Sequence, residues 1–210
     1  MRTIMSGVTN SAGSRRAGGA DAVPAGKRER LVAGAREVLH AQGVERTTLA
    51  DIAEAADVPV GNVYYYFKTK DELVDAVVAS RLAETQAALA TLDRHRMPKA
   101  RLRAFVRMLT GNADLTAAYG CPQGSLCSEL DKRADGPGCE CAQLMRLPIA
   151  WAEEQFRAMG RRDAHELAIA LIASYQGIAL LTNTLRDPEM MIREGRRLER
   201  WIDSLSAASG

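Results

Sequence analysis

Residues 48–67 contain two short helical segments separated by a break, and neither segment is long enough to be a stable helix alone. Four apolar residues of the first segment share one helical face: Leu49, Ile52, Ala53 and Ala56. Thr48 precedes them as a suitable N-cap, and the pattern stops at residues 57–59. Pro59 suits the first turn of a second helix, which we expect to end near Phe67. Two short helices joined by a tight turn form a helix-turn-helix, which needs further helices to complete its core.

Helical patterns on both sides of this segment supply the missing core. Residues 27–42 keep one apolar stripe that stops at Gly43, which predicts a first helix. Thr69 and Glu72 form the pattern of a capping box and predict a long helix over residues 70–94. The composition, 47% apolar and rich in Leu, Ala, Arg and Glu, favours helices over sheet. The sequence therefore predicts an all-α protein.

The rest of the chain continues in helical patterns interrupted by two predicted loops, at residues 111–124 and 133–138. The helices expected after the first loop cover residues 125–132, 139–159, 164–185 and 188–205. Pro148 should kink the second of these, and the third is apolar nearly all round, so we expect it to be buried on two sides. The predicted divisions are a disordered arm, the helix-turn-helix domain and a larger helical domain, at residues 1–26, 27–72 and 73–210.

Three consecutive tyrosines, at residues 64–66, lie at the end of the second short helix, although the chain contains only five tyrosines. Successive helical residues point about 100° apart, so these rings cannot all enter one core. At least one ring should pack inward and at least one should face outward, beside Lys68 and Lys70. A net charge of +2 does not by itself indicate nucleic-acid binding. However, residues 59–70 contain no acidic side chain, so this surface is predicted to contact a negatively charged partner.

The stretch TTLADIAEAADVPVGNVYYYFKTKDEL, residues 47–73, resembles the DNA-binding signature of the tetracycline-repressor (TetR) family of bacterial transcription regulators. The resemblance implies a three-helix, helix-turn-helix DNA-binding domain followed by a larger helical domain that binds a ligand and dimerises. It also implies a cytoplasmic homodimer without a cofactor, acting as a repressor that a small molecule releases from palindromic double-stranded operator DNA. Residues 60–67 match the recognition helix, which lies in the major groove in this family.

The resemblance further implies which side chains meet DNA: Thr48, Val60, Gly61, Asn62, Tyr64, Tyr65, Tyr66 and Lys70. Tyrosine hydroxyls and helix N-termini can hold phosphates without many charges, and Asn62 can pair with adenine or contact a phosphate. Gly61 lets the backbone approach DNA closely, and Lys70 matches a lysine near a phosphate. The family usually has glycine where Asp57 stands. We expect Asp57 to adopt the left-handed conformation of this turn, because Asp tolerates it better than most residues.

The segment CPQGSLCSEL, residues 121–130, is the one motif-like stretch of the larger domain. Three interpretations stay open for its cysteines, Cys121 and Cys127. They are small apolar fillers around a turn, redox-sensing thiols activated at a helix start, or metal ligands together with Cys139 and Cys141. Because the spacings fit no usual zinc knuckle and no histidine lies adjacent, we predict no metal site. A cysteine-based redox-sensing repressor is therefore the alternative to a ligand-responsive one.

Six side chains of the larger domain are candidates for lining a ligand chamber: Phe105, Met108, Tyr119, Gln123, Met145 and Trp151. The three histidines, His40, His95 and His165, lie far apart in sequence, and no Ser/Cys–His arrangement is evident. We therefore predict no catalytic site, and the remaining alternative is a thiol enzyme or metal-binding protein with an incidental helix-turn-helix. The sequence lacks an apolar run of membrane-spanning length and the apolar stretch of an export signal, so we expect a cytoplasmic protein without membrane association.

Overall fold

The structure, a computed structural model, describes residues 26–131 and 140–205. Within these ranges the chain forms α-helices and one 3₁₀ turn, with no strand, which confirms the all-α prediction for this part of the chain. In chain order the helices are α1 (Lys27–Gln42), α2 (Leu49–Ala55), α3 (Val60–Tyr66), α4 (Lys70–Leu92), α5 (Pro98–Thr110), α6 (Ala113–Tyr119), α7 (Pro122–Asp131), α8 (Gln143–Ala158), α9 (Ala164–Leu185) and α10 (Pro188–Ser204). Residues 1–25 of the predicted arm and the predicted loop at 133–138 lie outside the described residues.

A first core lies between α1, α2, α3 and the N-terminal half of α4. Its fully buried side chains include Leu31, Ala35, Ile52, Val63 and Leu73. Gly34 allows α1 to cross α2 closely, because a Cβ at this position would lie 3.0 Å from the backbone nitrogen of Ala56. The turn after α2 places Asp57 at a φ of +50°, so the expected left-handed conformation is confirmed. Arg30 fixes this turn by donating a hydrogen bond to the carbonyl oxygen of Asp57 at 3.2 Å.

The N-termini of α2 and α4 are capped by threonines, as the sequence predicted. Thr48 accepts a hydrogen bond from the N–H of Asp51 at 3.2 Å, and the Asp51 carboxylate accepts one from the N–H of Thr48 at 2.8 Å. At α4, Thr69 accepts from the N–H of Glu72 at 3.1 Å. The Glu72 carboxylate, however, accepts from the N–H of Lys68 at 2.7 Å, one residue before the position that a capping box uses.

A second core fills the larger domain, between α5, α8, α9 and α10. Its largest buried side chains are Leu102, Phe105, Trp151, Phe156, Leu171 and Ile202. α4 contributes to both cores, because Leu73 and Val77 are buried in the first and Leu89 in the second. Pro148 lies inside α8 without ending it. α4 is therefore the one continuous helix, among the described residues, that connects the helix-turn-helix with the larger domain.

The predicted loop at residues 111–124 is wrong, because this stretch forms α6 and the start of α7. Gly120 separates the two helices with a φ of +80°. Gly124 lies inside α7, where a Cβ would come within 2.5 Å of the side-chain oxygen of Gln176 on α9. In the sequence these glycines indicated a loop, whereas in the fold one makes a turn and the other permits close helix packing.

Within the single chain α9 buries one of its faces, and its second apolar face is exposed. The residues that face the interior include Ala168, Leu171, Tyr175 and Ala179. The exposed large apolar residues of the other face are Ile169, Leu180, Leu181 and Leu185. By length and hydropathy α9 could cross a membrane. One of its apolar faces is buried inside the bundle, however, so packing explains part of its apolar character. The remaining exposed face is a candidate interface.

Candidate nucleic-acid interface and adjoining chamber

α3 presents two tyrosines to solvent and buries apolar side chains on its opposite face. Val63 and Phe67 are buried in the first core. Tyr64 exposes 54% of its surface and Tyr65 exposes 78%. The sequence prediction that at least one tyrosine faces outward is therefore confirmed. Packing of the first core does not require these two exposed rings, so they are available to a partner.

Tyr66 is the inward member of the three tyrosines. Its side chain is half-buried and packs against the first core, which confirms that one ring points inward. The rings of Tyr65 and Tyr66 meet edge to face with their centroids 5.0 Å apart, an arrangement that aromatic pairs favour. Tyr66 thus restrains the most exposed tyrosine of the helix and presents less surface of its own.

The first turn of α3 carries three further predicted contacts. Val60 and Gly61 are exposed, and Asn62 is half-buried. A Cβ added at Gly61 would meet no other atom within 4 Å, so the fold itself does not require glycine there. Close approach of an external surface to the backbone would account for this residue.

Lys68, Lys70 and Thr48 lie close to the recognition helix in the chain. Lys68 donates a hydrogen bond from Nζ to the carbonyl oxygen of Tyr64 at 2.9 Å, and Lys70 donates one to the carbonyl oxygen of Glu45 at 3.3 Å. Thr48 is exposed as the N-cap of α2. The hydrogen bond from the Thr48 N–H lowers the pKa of the Asp51 carboxyl, so this group is ionised and engaged in the cap at neutral pH.

A chamber of about 350 Å³ lies where the helix-turn-helix meets the larger domain. Its residues on α1 and α4 are Arg36, Glu37, His40 and Arg81. The remaining lining residues come from α5 to α7 and from α9: Met108, Leu109, Asn112, Leu115, Thr116, Cys121, Pro122, Gln123 and Tyr175. The volume is near the lower end of the range of small-molecule sites, and the lining combines apolar and polar groups in the usual way.

The structure brings only part of the predicted ligand set to this chamber. Met108 and Gln123 line it. Tyr119 stacks edge to face on the lining residue His40, with ring centroids 5.6 Å apart. The predicted roles of Phe105, Met145 and Trp151 are not supported at this chamber. Phe105 and Trp151 pack against each other in the second core with centroids 5.2 Å apart, and Met145 lies outside the chamber, where its sulfur accepts a hydrogen bond from Gln176.

The chamber wall formed by α1 and α4 is charged and partly buried, and it contains Arg36, His40 and Arg81 together with Glu37. His40 Nε2 lies 3.0 Å from the carbonyl oxygen of Gly120, and burial lowers the pKa of this histidine. Burial also lowers the pKa of Arg81, and the nearby Arg36 adds to that effect. Arg36 forms an ion pair with Glu84. The described part of the chain provides no carboxylate within 4.0 Å of Arg81.

The two redox candidates lie in different environments. Burial raises the pKa of the Cys127 thiol to about 11, and this thiol donates to the carbonyl oxygen of Cys141 at 3.2 Å. Cys121 is buried at the start of α7, where its sulfur accepts hydrogen bonds from the Gly124 N–H at 3.3 Å, the Gln176 amide at 3.6 Å and the Tyr175 hydroxyl at 3.7 Å. Thiolate chemistry is thus disfavoured at Cys127.

The described residues contain no group of His, Cys, Asp and Glu side chains that could hold a metal ion. Of the four cysteines, Cys121 and Cys127 are free and Cys141 is disulfide-bonded, while Cys139 lies outside the described residues. The interpretation of the cysteines as a shared metal site therefore gains no support from the described geometry.

Known proteins resemble both the helix-turn-helix and the chain as a whole. Residues 31–77 match the family described as "Bacterial regulatory proteins, tetR family". The HTH-type transcriptional regulator BetI of Paraburkholderia phymatum is 31% identical over 192 residues, which cover 87% of this chain and 94% of that relative. The chain belongs to the tetR family of bacterial regulatory proteins.

Other members of the tetR family are similar over comparable lengths. The HTH-type transcriptional regulator TtgR of Pseudomonas putida is 28% identical over 189 residues, covering 84% of this chain and 88% of that relative. A crystal structure of a TetR transcriptional regulator from Legionella pneumophila has the same fold, with a TM-score of 0.75 at 19% identity, covering 84% of this chain and 97% of that one. As a tetR-family member, the protein is a helix-turn-helix, DNA-binding regulator of transcription.

The charged wall of the chamber in this tetR-family protein was not predicted from the sequence. Arg36 and His40 are four residues apart on α1 and share a helical face, so the sequence alone indicated that the two side chains lie together. Arg81 follows Val77 by four residues, so it continues the buried stripe of α4 with a charged side chain. A charge at the position of a core residue marks either an ion pair or a ligand contact. Tyr175, on the buried face of α9, gave no comparable signal.

Proposed function

We propose that the protein is a homodimeric repressor that leaves a palindromic operator when a small molecule binds the chamber. The observation that carries this proposal is the position of the chamber. Its wall includes α1 and α4, which also build the domain that presents Tyr64 and Tyr65. A molecule bound there would contact the DNA-binding domain directly. A dimer that occupies its operator represses by excluding other proteins from the same DNA.

The proposed DNA contacts come from the exposed side of α3 and the residues beside it: Thr48, Val60, Gly61, Asn62, Tyr64, Tyr65 and Lys70. All of them except Asn62 and Lys70 are exposed, and Tyr65 and Tyr64 are the two most accessible aromatic side chains of the helix, which supports the assignment. Asn62 would read a base edge or hold a phosphate. Lys70 and the tyrosine hydroxyls would position the helix on the phosphate backbone. We assign Tyr66 to supporting Tyr65 at the edge of this surface.

A seven-residue recognition helix reads only a few base pairs, so a specific operator requires two copies of it. The exposed apolar face of α9 supports a symmetric dimer, because Leu180, Leu181 and Leu185 remain uncovered on one protomer. Leu180 exposes 66% of its surface. We propose that α9 and α10 form a four-helix interface with their copies about a two-fold axis, which would relate the two recognition helices.

Two structural connections would transmit ligand binding to the recognition helix. α4 is the first, because it begins beside α3 and carries Arg81 to the chamber. The second is the α6–α7 segment, where the Gly120 carbonyl meets His40 and the Glu129 carboxylate meets the backbone of Val44. A ligand that binds more tightly when either connection has moved weakens operator binding. The loss equals the difference in ligand binding free energy between the two states, typically about 1–3 kcal/mol. Operator DNA must weaken ligand binding by the same factor.

A redox-sensing repressor is the second candidate function, and the structure favours Cys121 for it over Cys127. The Cys121 sulfur lines the chamber and accepts three hydrogen bonds. Peroxide would convert this thiol to a sulfenic acid and release water. Loss of operator binding after peroxide treatment, prevented by Cys121→Ser and unaffected by Cys127→Ser, would support this function. Equal peroxide responses of the wild type and Cys121→Ser would exclude it.

The test of the proposed function starts from a map of the sites that the protein occupies across its own genome. The recovered sites should share two half-sites related by a two-fold axis, about one helical turn of DNA or a multiple of it apart. Fluorescence anisotropy with one such duplex should give specific binding that weakens as salt increases. Binding of unrelated duplexes with equal affinity, or of a single half-site as tightly as the whole operator, would contradict the proposal.

A further inference from the structure

The chamber contains a half-buried cation, Arg81, that forms no ion pair within 4.0 Å among the described residues. Arg81 faces the chamber from α4, and its guanidinium donates one long hydrogen bond, to the carbonyl oxygen of Arg36 at 3.4 Å. Its Nε is buried and has no hydrogen-bond partner among the described residues. A buried charge is unfavourable unless it is paired and hydrogen-bonded. Arg81 therefore has no carboxylate partner among the described residues and can accept one from a bound molecule.

The other ionisable groups around the chamber do not supply this partner. Glu84 raises the pKa of Arg81 through its charge, but its ion pair is with Arg36, and the lining residue Glu37 is exposed. His40 adds no negative charge, and burial raises the pKa of Tyr175 well above its ordinary value, so this phenol stays neutral. Arg36 itself is a second cation, with a buried Nε that also has no partner in the described chain. On the wall formed by α1 and α4, the Nε groups of Arg36 and Arg81 are therefore donors without a partner in the described chain.

The lining residues from α5 to the start of α7 are mostly apolar. They are Met108, Leu109, Leu115 and Pro122, with the polar residues Asn112 and Thr116 among them. Gln123, which lies between the two walls, donates its amide to Thr85 at 2.8 Å and is already engaged. A fitting molecule therefore needs an anionic group at one end and a compact apolar body that fits within about 350 Å³ at the other.

We propose that the effector of this regulator is a small organic carboxylate whose head group pairs with Arg81 and whose apolar body lies against Met108 and Leu115. The inference rests on the proposed function, since it specifies the ligand of the same chamber. A planar carboxylate matches the fork of donors on a guanidinium. The site disfavours an organic cation, because its charge would lie beside both Arg81 and Arg36.

Calorimetric titration of the full-length protein without DNA tests the proposal. The probes are benzoate, phenylacetate, 4-phenylbutyrate and octanoate, each compared with its neutral primary amide. At least one carboxylate should bind about 10-fold or more tightly than its amide. Arg81→Met should abolish that preference, whereas Arg196→Met, on the exposed face of α10, should retain it. Amides that bind as tightly as their carboxylates across all four pairs, or a preference that survives Arg81→Met, would overturn the proposal.

A second variant and a separate measurement keep the interpretation unambiguous. Arg81→Lys keeps the charge but loses the fork, so it should bind the carboxylate more weakly than the wild type and more tightly than Arg81→Met. If Arg81→Met does not fold, the comparison of carboxylate with amide on the wild type decides alone.

Operator binding is measured independently. A protein that prefers carboxylates but does not release its operator supports this site and contradicts the proposed induction, whereas failure to bind any operator contradicts the proposed function alone.

Discussion

The carboxylate of Glu129 accepts a hydrogen bond from the backbone N–H of Val44, with an N···O distance of 2.6 Å. Glu129 lies on α7, and Val44 is buried directly after the turn that ends α1. Gly43 adopts a φ of +83° in this turn, and a Cβ there would lie 2.9 Å from the Glu129 carboxylate. The glycine therefore provides both the backbone conformation and the space for this contact. The hydrogen bond between Glu129 and Val44 connects the DNA-binding domain to the segment that lines the chamber, independently of α4.

Removing the acceptor at Glu129 should destabilise the junction between the two domains. Glu129→Leu leaves the N–H of the buried Val44 without a partner, so we expect the free energy of unfolding to fall by about 1–3 kcal/mol. Glu129→Gln is the matched control, because its amide oxygen can still accept the bond and the loss should be smaller. Urea denaturation of both variants measures the difference. Equal stability of Glu129→Leu and the wild type would show that this contact is not important for the junction.

Two substitutions on the exposed side of α3 test the DNA-binding surface. Tyr65→Phe removes one hydroxyl and Asn62→Ala removes one amide, so each should weaken specific operator binding by about 1–3 kcal/mol. The fold should be unaffected, because Tyr65 is largely exposed and the Asn62 side chain lies outside the first core. Tyr119→Phe, an exposed tyrosine of the larger domain, is the control. Fluorescence anisotropy that finds operator affinity unchanged in both test variants would remove these residues from the interface.

Gly61→Ala separates a requirement of the fold from a requirement of the DNA complex. The added methyl group meets no atom within 4 Å in the free protein, so the helix should tolerate it and gain up to about 1 kcal/mol of stability. If DNA approaches this backbone closely, operator affinity should fall while the melting temperature stays the same or rises. Thermal denaturation and operator binding are compared on the same sample. An alanine variant with wild-type operator affinity would mean that DNA does not approach Gly61.

Much of the DNA-binding domain could be predicted from the sequence, because its signals are local. Thr48 and Thr69 begin α2 and α4 as caps, and Asp57 adopts the left-handed turn that its type tolerates. The periodicity of apolar residues placed α1 correctly from Lys27 to Gln42. These features depend on neighbouring residues in the chain, so a single sequence contains the necessary information.

The chamber could not be predicted in the same way, because its lining comes from six helices. Arg81 and Cys121 are far apart in the sequence and meet only after α4 and α7 pack together. Phe105 and Trp151 are residue types that often line ligand sites, but here they pack in the second core. Gly120 and Gly124 indicated a loop, while tertiary packing stabilises α6 and α7 at those positions. Composition identifies apolar residues, but it does not distinguish a core from a cavity wall.

The exposed face of α9 predicts a dimer that one charge should disrupt. Leu180→Lys places an ammonium in the proposed interface, where its burial without a partner is unfavourable, so the dimer should dissociate at micromolar concentration. Met97→Lys is the control, because Met97 is an exposed apolar residue of the turn before α5. Sedimentation velocity measures both proteins. A wild type that sediments as a monomer, or a Leu180→Lys dimer as stable as the wild type, would contradict the α9 interface.

His40 links the stability of the domain junction to pH. Burial lowers the pKa of this histidine below the ordinary value of 6.5, with a further contribution from Arg81, although the contact with the Gly120 carbonyl acts in the opposite direction. The unfolded chain therefore binds a proton at higher pH than the folded protein does. The contribution of His40 to stability is fully present above pH 6.5 and is lost as the pH falls through the folded-state value.

We expect the wild type to lose more stability than His40→Gln when the pH is lowered from 7.5 to 5.5. Glutamine can still donate a hydrogen bond to the carbonyl oxygen of Gly120, but it does not titrate, so the part of the pH dependence that belongs to His40 disappears. Urea denaturation at several pH values measures the free energy of unfolding of both proteins. His95→Gln, in the turn after α4, is the control and should follow the wild type. Parallel pH profiles for the wild type and His40→Gln would show that His40 is not responsible for the pH dependence.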